Sequence, residues 1–342
     1  MAKRLGKRTI QFQQPPAVVA SAAIVGEKEG QGPLGKSFDV VSQDSRFGQK
    51  SWELAESEMQ KRTIALAVEK AGLQFSDLDC ILAGDLLNQC VSSALASVDA
   101  HLPYLGLYGA CSTMAQGLAI GAALIDGGAA RKAVAAASSH FCSAERQYRF
   151  PLAYGGQRPP TAQWTATAAG AAVLAKGGSK IRITHAIFGE MVDLGVKDAN
   201  NMGSAMAPSA CDTLEHLFED THTGPTDYDR ILTGDLATVG ADLLVTLLRK
   251  DGIDVTPVYS DCGSLLYGNE QDTHAGGSGC GCSAAVICGH ILNEMEQDKL
   301  GKVIFAGTGA LMSPTSLQQG QSIAGICHAV VFERMGNKQE KR

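Results

Sequence analysis

The sequence predicts a mixed α/β fold built from two copies of one unit, and three observations carry the prediction. Asp79-Cys80-Ile81-Leu82-Ala83-Gly84-Asp85-Leu86 is nearly copied by Asp229-Arg230-Ile231-Leu232-Thr233-Gly234-Asp235-Leu236. A Cys-Ser pair at the start of a small-residue helix recurs at Cys111-Ser112 and Cys282-Ser283. Each pair is followed by a Lys-led apolar run, 132–137 and 302–306, so order and spacing are both kept, as duplication requires.

Residues 1–16 form a basic arm with Lys3, Arg4, Lys7 and Arg8. Two readings of it stand: a solvated tail, or a contact with an anionic lipid surface. The N-terminal half, 17–178, opens with the apolar strand 17–25. Gly30-Gln31-Gly32-Pro33-Leu34-Gly35-Lys36-Ser37 then matches the phosphate-loop pattern letter for letter. A phosphate loop must run into a helix whose first amides point at the anion. The following stretch, 38–45, has no helical periodicity and Pro33 removes an amide, so a nucleotide site is not expected. Ile81-Leu82-Ala83 reads as a short strand buried on both faces and stopped by Gly-Asp. Met114, Leu118, Leu124 and Ile125, with alanines between them, make a helix that is apolar nearly all round and therefore internal. Runs 133–137 and 170–174 complete the half. The C-terminal half, 179–335, repeats the series with 231–233, 303–306 and 328–332, and 336–342 reads as a frayed end.

Composition narrows the function. The 342 residues are 45% hydrophobic and 6% aromatic, enough for a large duplicated core. A net charge of −6 argues against general nucleic-acid binding, which needs a basic face. Neither a signal peptide nor an uninterrupted apolar span is visible, which predicts synthesis in the cytoplasm. The ten cysteines lie mostly in apolar segments, as reduced core thiols do. Cys280-Gly281-Cys282 with Cys262, His274 and His290 lacks the spacing of a zinc knuckle, so no metal site is expected.

The strongest chemical signal is Gly109-Ala110-Cys111-Ser112-Thr113. A cysteine at a helix start sees the positive end of the helix dipole, which favours thiolate. A small buried cysteine opening a helix is the equally good reading.

The chain resembles the thiolase superfamily and, more closely, the stage V sporulation protein AD family of spore-forming bacteria. The resemblance rests on Gly32-Pro33-Leu34-Gly35, Ser51-Trp52-Glu53, Gly84-Asp85-Leu86-Leu87-Asn88-Gln89, the Cys111 segment and Ser138-Ser139-His140-Phe141. It extends through Arg158-Pro159-Pro160-Thr161-Ala162-Gln163-Trp164-Thr165, 234–240 and 307–314. It implies a thiolase-like fold, two duplicated mixed-sheet halves in an α-β-α-β-α layering, and a homodimer. It also implies a sporulation protein that binds dipicolinic acid as its calcium chelate and helps move it into the spore. Such a protein would sit peripherally at the forespore or spore inner membrane, beside membrane proteins of the same operon. Calcium would come only with the ligand.

A flat ring with two carboxylates calls for amide and hydroxyl donors at a helix start and a planar group to stack on. On this basis Asp85, Asn88, Gln89, Cys111, Ser139, His140, Gln163, Trp164 and Asp235 are the expected ligand-binding residues, with Gln163-Trp164 in a Pro-rich loop able to act as a lid. Asp85 and Asp235 have a plainer role open to them, satisfying loop amides. The alternative activity is acyl transfer through Cys111. Condensing relatives draw a base from second-half loops bearing His with Asn or a second Cys, whereas 234–238 and 306–309 carry neither. His274 and His328 are the remaining stand-ins, and His328 lies in a strand pattern that reads as core.

Overall fold

The computed structural model describes residues 2–148 and 158–336. Its strands are β1 (Lys3–Leu5), β2 (Thr9–Gln11), β3 (Ala17–Gly26), β4 (Val40–Ser42), β5 (Cys80–Gly84), β6 (Tyr104–Gly106), β7 (Lys132–Ser139), β8 (Trp164–Thr165) and β9 (Ala168–Ala175). They continue with β10 (Ile181–Ile187), β11 (Arg230–Thr233), β12 (Tyr259–Asp261), β13 (Gly277–Ser278), β14 (Lys302–Leu311) and β15 (Ala324–Arg334).

The first half pairs in the order β3-β9-β7-β5-β6 and the second in the order β10-β15-β14-β11-β12. Directions repeat as well. β5 is parallel to β6 and β7, and β9 is antiparallel to β7 and β3. Likewise β11 is parallel to β12 and β14, and β15 is antiparallel to β14 and β10. The two sheets join edge to edge where Arg182 of β10 meets Ala17 of β3.

The alternation of side chains along each strand builds the layers. Ile81 and Val134 face helix Trp52–Lys70 through Ile64, Ala67 and Val68, on the outside of the first sheet. Ile231, Ile304 and Val331 face Leu214, Leu217 and Leu244 of helices Met202–Thr221 and Ala237–Lys250, outside the second. Leu82, Leu174, Phe305 and Phe332 point inward onto helices Thr113–Asp126 and Cys280–Val286. The result is the α-β-α-β-α order of a thiolase-like fold. The helix after Thr113 is buried along nearly its whole length, which is why its sequence lacks a polar stripe. Cys282 is the third residue of its helix, which opens at Cys280.

The N-terminal arm is not a solvated tail. β1 and β2 form a hairpin, and β2 pairs with β10. The Asp220 carboxylate accepts the backbone N–H groups of Lys7, Arg8 and Thr9, and Arg8 donates to both Asp212 oxygens at 2.9 and 3.0 Å. Two half-buried acidic partners dock what composition alone reads as free. Within the phosphate-loop match, Gly35–Ser37 is a single 3-10 turn that leads to β4 rather than to a helix, and Lys36 is exposed. Among the described residues, no helix is long and apolar enough to cross a membrane. The tail positions 337–342 and the 149–157 stretch of the expected lid lie outside the described residues.

Candidate functional site

Cys111 occupies the 3-10 turn Ala110–Ser112 that feeds helix Thr113–Asp126. Ala110 takes φ +50°, a left-handed backbone that costs a residue with a Cβ and is held here by surrounding structure. The Ser112 hydroxyl fixes the turn by donating to the Gly109 carbonyl at 2.6 Å. β14 lies so close behind that a Cβ on Gly309 would stand 2.7 Å from the Gly109 carbonyl oxygen, so this strand needs glycine there.

The thiol sits at the floor of a cavity of about 390 Å³, a volume typical of small-molecule sites. Asn88 and Tyr108 come from the loops after β5 and β6. Helix Phe141–Tyr148 supplies Ala144, Glu145 and Tyr148, one turn apart. The parallel pair β8–β13 places Thr165 beside Ser278. Met312, Ser313 and Ser316, at the end of β14 and the start of helix Pro314–Gln318, close the far side with Met202. The wall is thus largely apolar, with a set of hydroxyls, the Asn88 amide and the Glu145 carboxyl. The Tyr108 hydroxyl donates to Asn88 Oδ1 at 3.2 Å and that of Tyr148 to the Leu86 carbonyl.

Asp235 stands at this helix mouth. Its Oδ2 accepts from Gly279 N at 2.9 Å and Ser278 Oγ at 3.2 Å, and its Oδ1 accepts from Thr308 Oγ1 at 3.0 Å. Burial raises the Asp235 carboxyl to about 6 against the pull of these donors. Burial first, and then the Asp235 charge, push the Cys111 thiol well above its usual range. Of the two readings of Cys111, this burial and this neighbouring charge favour the small buried thiol over the thiolate. A carboxylate neighbour opposes the anion that an imidazolium would favour.

Asp85, the repeat partner of Asp235, stays in its own loop. Its carboxylate accepts Leu87 N, Ser93 N and Ser93 Oγ at 2.7–2.8 Å and is absent from the cavity wall. The turn at Gln89 and Cys90, both with positive φ, folds the loop back onto it. That geometry also leaves Gln89 exposed and off the wall. Ser139 is consumed by the Ala166 carbonyl at 2.7 Å and the Gly281 amide at 3.2 Å. His140 is buried away from the cavity. Its Nδ1 accepts Cys142 N, so Nε2 carries the proton toward the Ser45 carbonyl at 2.8 Å, and burial lowers its pKa. Gln163 Nε2 donates to the Asp235 and Gly277 carbonyls at 2.6 and 3.0 Å, making it a brace behind the site. Trp164 offers no open face: Phe141 stacks on it at 4.0 Å, with Lys28 and Arg158 within 4.8 Å of its ring centroid.

Neither histidine stand-in lines the cavity. His328 Nδ1 accepts Gly189 N at 3.2 Å and burial lowers it to about 4, while His274 lies 3.7 Å from Asp272. Among the described residues, no group of three or more His, Cys, Asp or Glu is placed to hold a metal. Sequence reasoning missed Tyr108, Glu145, Tyr148, Ser278 and the Ser313–Ser316 cap. Only the Ser-x-x-Ser spacing of the last left a local signal.

Known proteins share this architecture. The family model for stage V sporulation protein AD matches residues 6–333. The stage V sporulation protein AD of Bacillus subtilis (strain 168) is 45% identical over 334 residues, covering 98% of this chain and 99% of that one. Among solved structures, a variant of OleA of Xanthomonas campestris bound with cerulenin is similar with TM-score 0.59, 15% identity and coverage of 94% and 97%. The 3-oxoacyl-[acyl-carrier-protein] synthase III of Aquifex aeolicus VF5 is similar with TM-score 0.56, 12% identity and coverage of 93% and 99%. At such identities these two speak for the fold alone.

Proposed function

The chain belongs to the stage V sporulation protein AD family, and on that premise we propose that it binds dipicolinic acid as its calcium chelate in the Cys111 cavity and assists its uptake into the developing spore. The observation that carries this reading is the cavity floor. Burial first, and then the Asp235 charge, raise the pKa of the Cys111 thiol, and among the described residues no histidine lines this hollow of ligand size edged by hydroxyl groups. Such a hollow can hold a planar ligand through hydroxyl donors and apolar walls. Among the described residues its wall carries no histidine to activate the thiol for acyl transfer. The working form is a homodimer, peripheral at the forespore inner membrane beside membrane proteins of the same operon. Lys3, Arg4 and Lys7, exposed on the docked hairpin, offer a basic contact to that surface.

Calorimetric titration with calcium dipicolinate tests the reading. Saturable 1:1 binding is expected, and Ser316→Trp, which fills the cavity from a half-buried rim position, should abolish it. Absence of heat at millimolar ligand, or unchanged binding in that variant, overturns it. The acyl-transfer alternative has the placement of Cys111 in its favour. It requires a mass adduct on Cys111 after incubation with an acyl-CoA, and none is expected.

A further inference from the structure

Ser37, the last residue of the phosphate-loop match, has its partner far along the chain. Its Oγ lies 3.2 Å from Nδ1 of His290, and Nε2 of that ring lies 3.6 Å from Oε2 of Glu294. None of the three lines the Cys111 cavity. Two local features bring them together. After helix Cys280–Val286 the chain makes one π-helical turn, Ile287–Ile291, before helix Leu292–Glu296, and such turns are frequent at functional sites. Within it Gly289 lets the Gly35–Ser37 turn lie against the helix, because a Cβ there would stand 2.8 Å from Phe38 Cδ1 and 3.3 Å from the Ser37 carbonyl oxygen. The carboxylate facing Nε2 favours the tautomer with its proton on that nitrogen, which leaves Nδ1 to accept from the Ser37 hydroxyl. Burial lowers the His290 pKa, opposed by the Glu294 charge and aided by those of Lys299 and Arg230, so the ring is neutral at pH 7 to 8. The group is reachable from solvent: Ser37 is half-buried, and the His290 and Glu294 side chains are 24% and 26% exposed.

A hydroxyl within reach of a neutral imidazole, itself oriented by a carboxylate, is the arrangement of an activated nucleophile. We propose that Ser37, His290 and Glu294 form a second, hydrolytic site for small carboxylic esters, with Ser37 as nucleophile, His290 as general base and Glu294 holding the ring. The Ser37 oxygen attacks the ester carbonyl carbon while its proton moves to His290 Nδ1. The tetrahedral adduct then collapses, the bond to the leaving alcohol oxygen breaks, and His290 returns the proton to that oxygen. Water attacks the acylated Ser37 by the same route, releasing the carboxylic acid and restoring the hydroxyl. Glu294 stays charged throughout and steadies the imidazolium, so it is a positioning residue. The site stands independently of the dipicolinate reading.

A fluorophosphonate probe tests this on the full chain, since it forms an Oγ–P bond with an activated serine, expels fluoride and draws on the same base. Peptide-level mass spectrometry at pH 8 should place the adduct on Ser37, and Ser37→Ala should lose it. His290→Gln should slow labelling about a hundred-fold or more, as loss of a general base does. Glu294→Gln removes a charge that raises the His290 pKa, so the pH midpoint of labelling should fall along with the rate. One readout needs no variant: the parent rate should rise with pH through a single group titrating below 6.5 and level off by pH 8. Hydrolysis of p-nitrophenyl acetate should follow the same profile. No adduct on Ser37 in the parent, or a labelling rate unmoved by pH, overturns the proposal. So does an unchanged rate in a His290→Gln variant that melts like the parent.

Discussion

Asp235→Asn probes the chemistry of the site most sharply. In the parent the Asp235 carboxyl titrates at about 6, so at pH 7 to 8 it is charged and opposes ionisation of the Cys111 thiol beside it. A nearby like charge shifts a pKa by roughly 1–3 units, each unit being about 1.4 kcal/mol and a factor of ten in thiolate. Asparagine removes the charge but not the burial that is the larger cause. A fall of about one to two units is therefore expected, and Cys111 alkylation at pH 8 should accelerate about ten- to a hundred-fold. Below pH 6 the parent carboxyl takes up its proton and the two profiles should converge. The amide keeps an oxygen for Thr308 but turns an NH2 toward the Gly279 N–H, at a cost of about 1–3 kcal/mol. Melting curves must accompany the rates for that reason. The assay is a timed iodoacetamide pulse across pH 5–9, read at peptide level because the chain has ten cysteines. If the parent Cys111 alkylates at pH 7 as fast as an exposed cysteine, the reasoning about the neutral thiol fails.

Three further outcomes are expected. Glu56 is fully buried between Ser138 and Ser143, and burial, with the nearby Asp85 charge, lifts it from 4.5 to about 8. The folded state thus holds a proton that the unfolded chain releases, and the stability this group contributes is complete below pH 4.5 and is lost as pH rises through 8, at up to about 1.4 kcal/mol per unit. Glu56→Gln should flatten urea-measured stability between pH 5 and 8 and exceed the parent at pH 8; equal slopes would contradict this. Gly281→Ala would place a Cβ 2.1 Å from the Ala168 carbonyl oxygen and 2.6 Å from Ser139 N, both backbone, so a loss of about 3 kcal/mol in thermal or urea unfolding is expected. Arg8→Ala should cost about 2 kcal/mol locally through its lost charged hydrogen bonds. Amide exchange should then speed up in residues 3–11 and not around the cavity.

The duplication was legible because strands and their terminating Gly-Asp pairs are local features, and both halves repeat one strand order, β3-β9-β7-β5-β6 and β10-β15-β14-β11-β12. The inward and outward faces followed from alternation, as Ile81 and Leu82 show by joining different packing clusters. Of the residues expected from sequence, Asn88 and Cys111 line the cavity. Repeat logic gives Asp85 and Asp235 the same role, but loop backbone decides where a carboxylate points. Positive φ at Gln89 and Cys90 turns one loop back on Asp85, while Asp235 reaches across to Gly279 and Thr308. His140 and Trp164 carried the right chemistry but were claimed by neighbours, the Ser45 carbonyl and the Phe141 ring. Tyr148, Glu145 and Ser313 reach the wall through tertiary packing that no local pattern encodes.

A crystal of the full chain soaked with calcium dipicolinate tests the central claim most directly. The ring should occupy the hollow above Cys111, with hydroxyls of Tyr108, Tyr148, Ser278 or Ser313 on the carboxylates. An empty cavity with ligand bound elsewhere, or a thioester on Cys111 after exposure to an acyl-CoA, would contradict it.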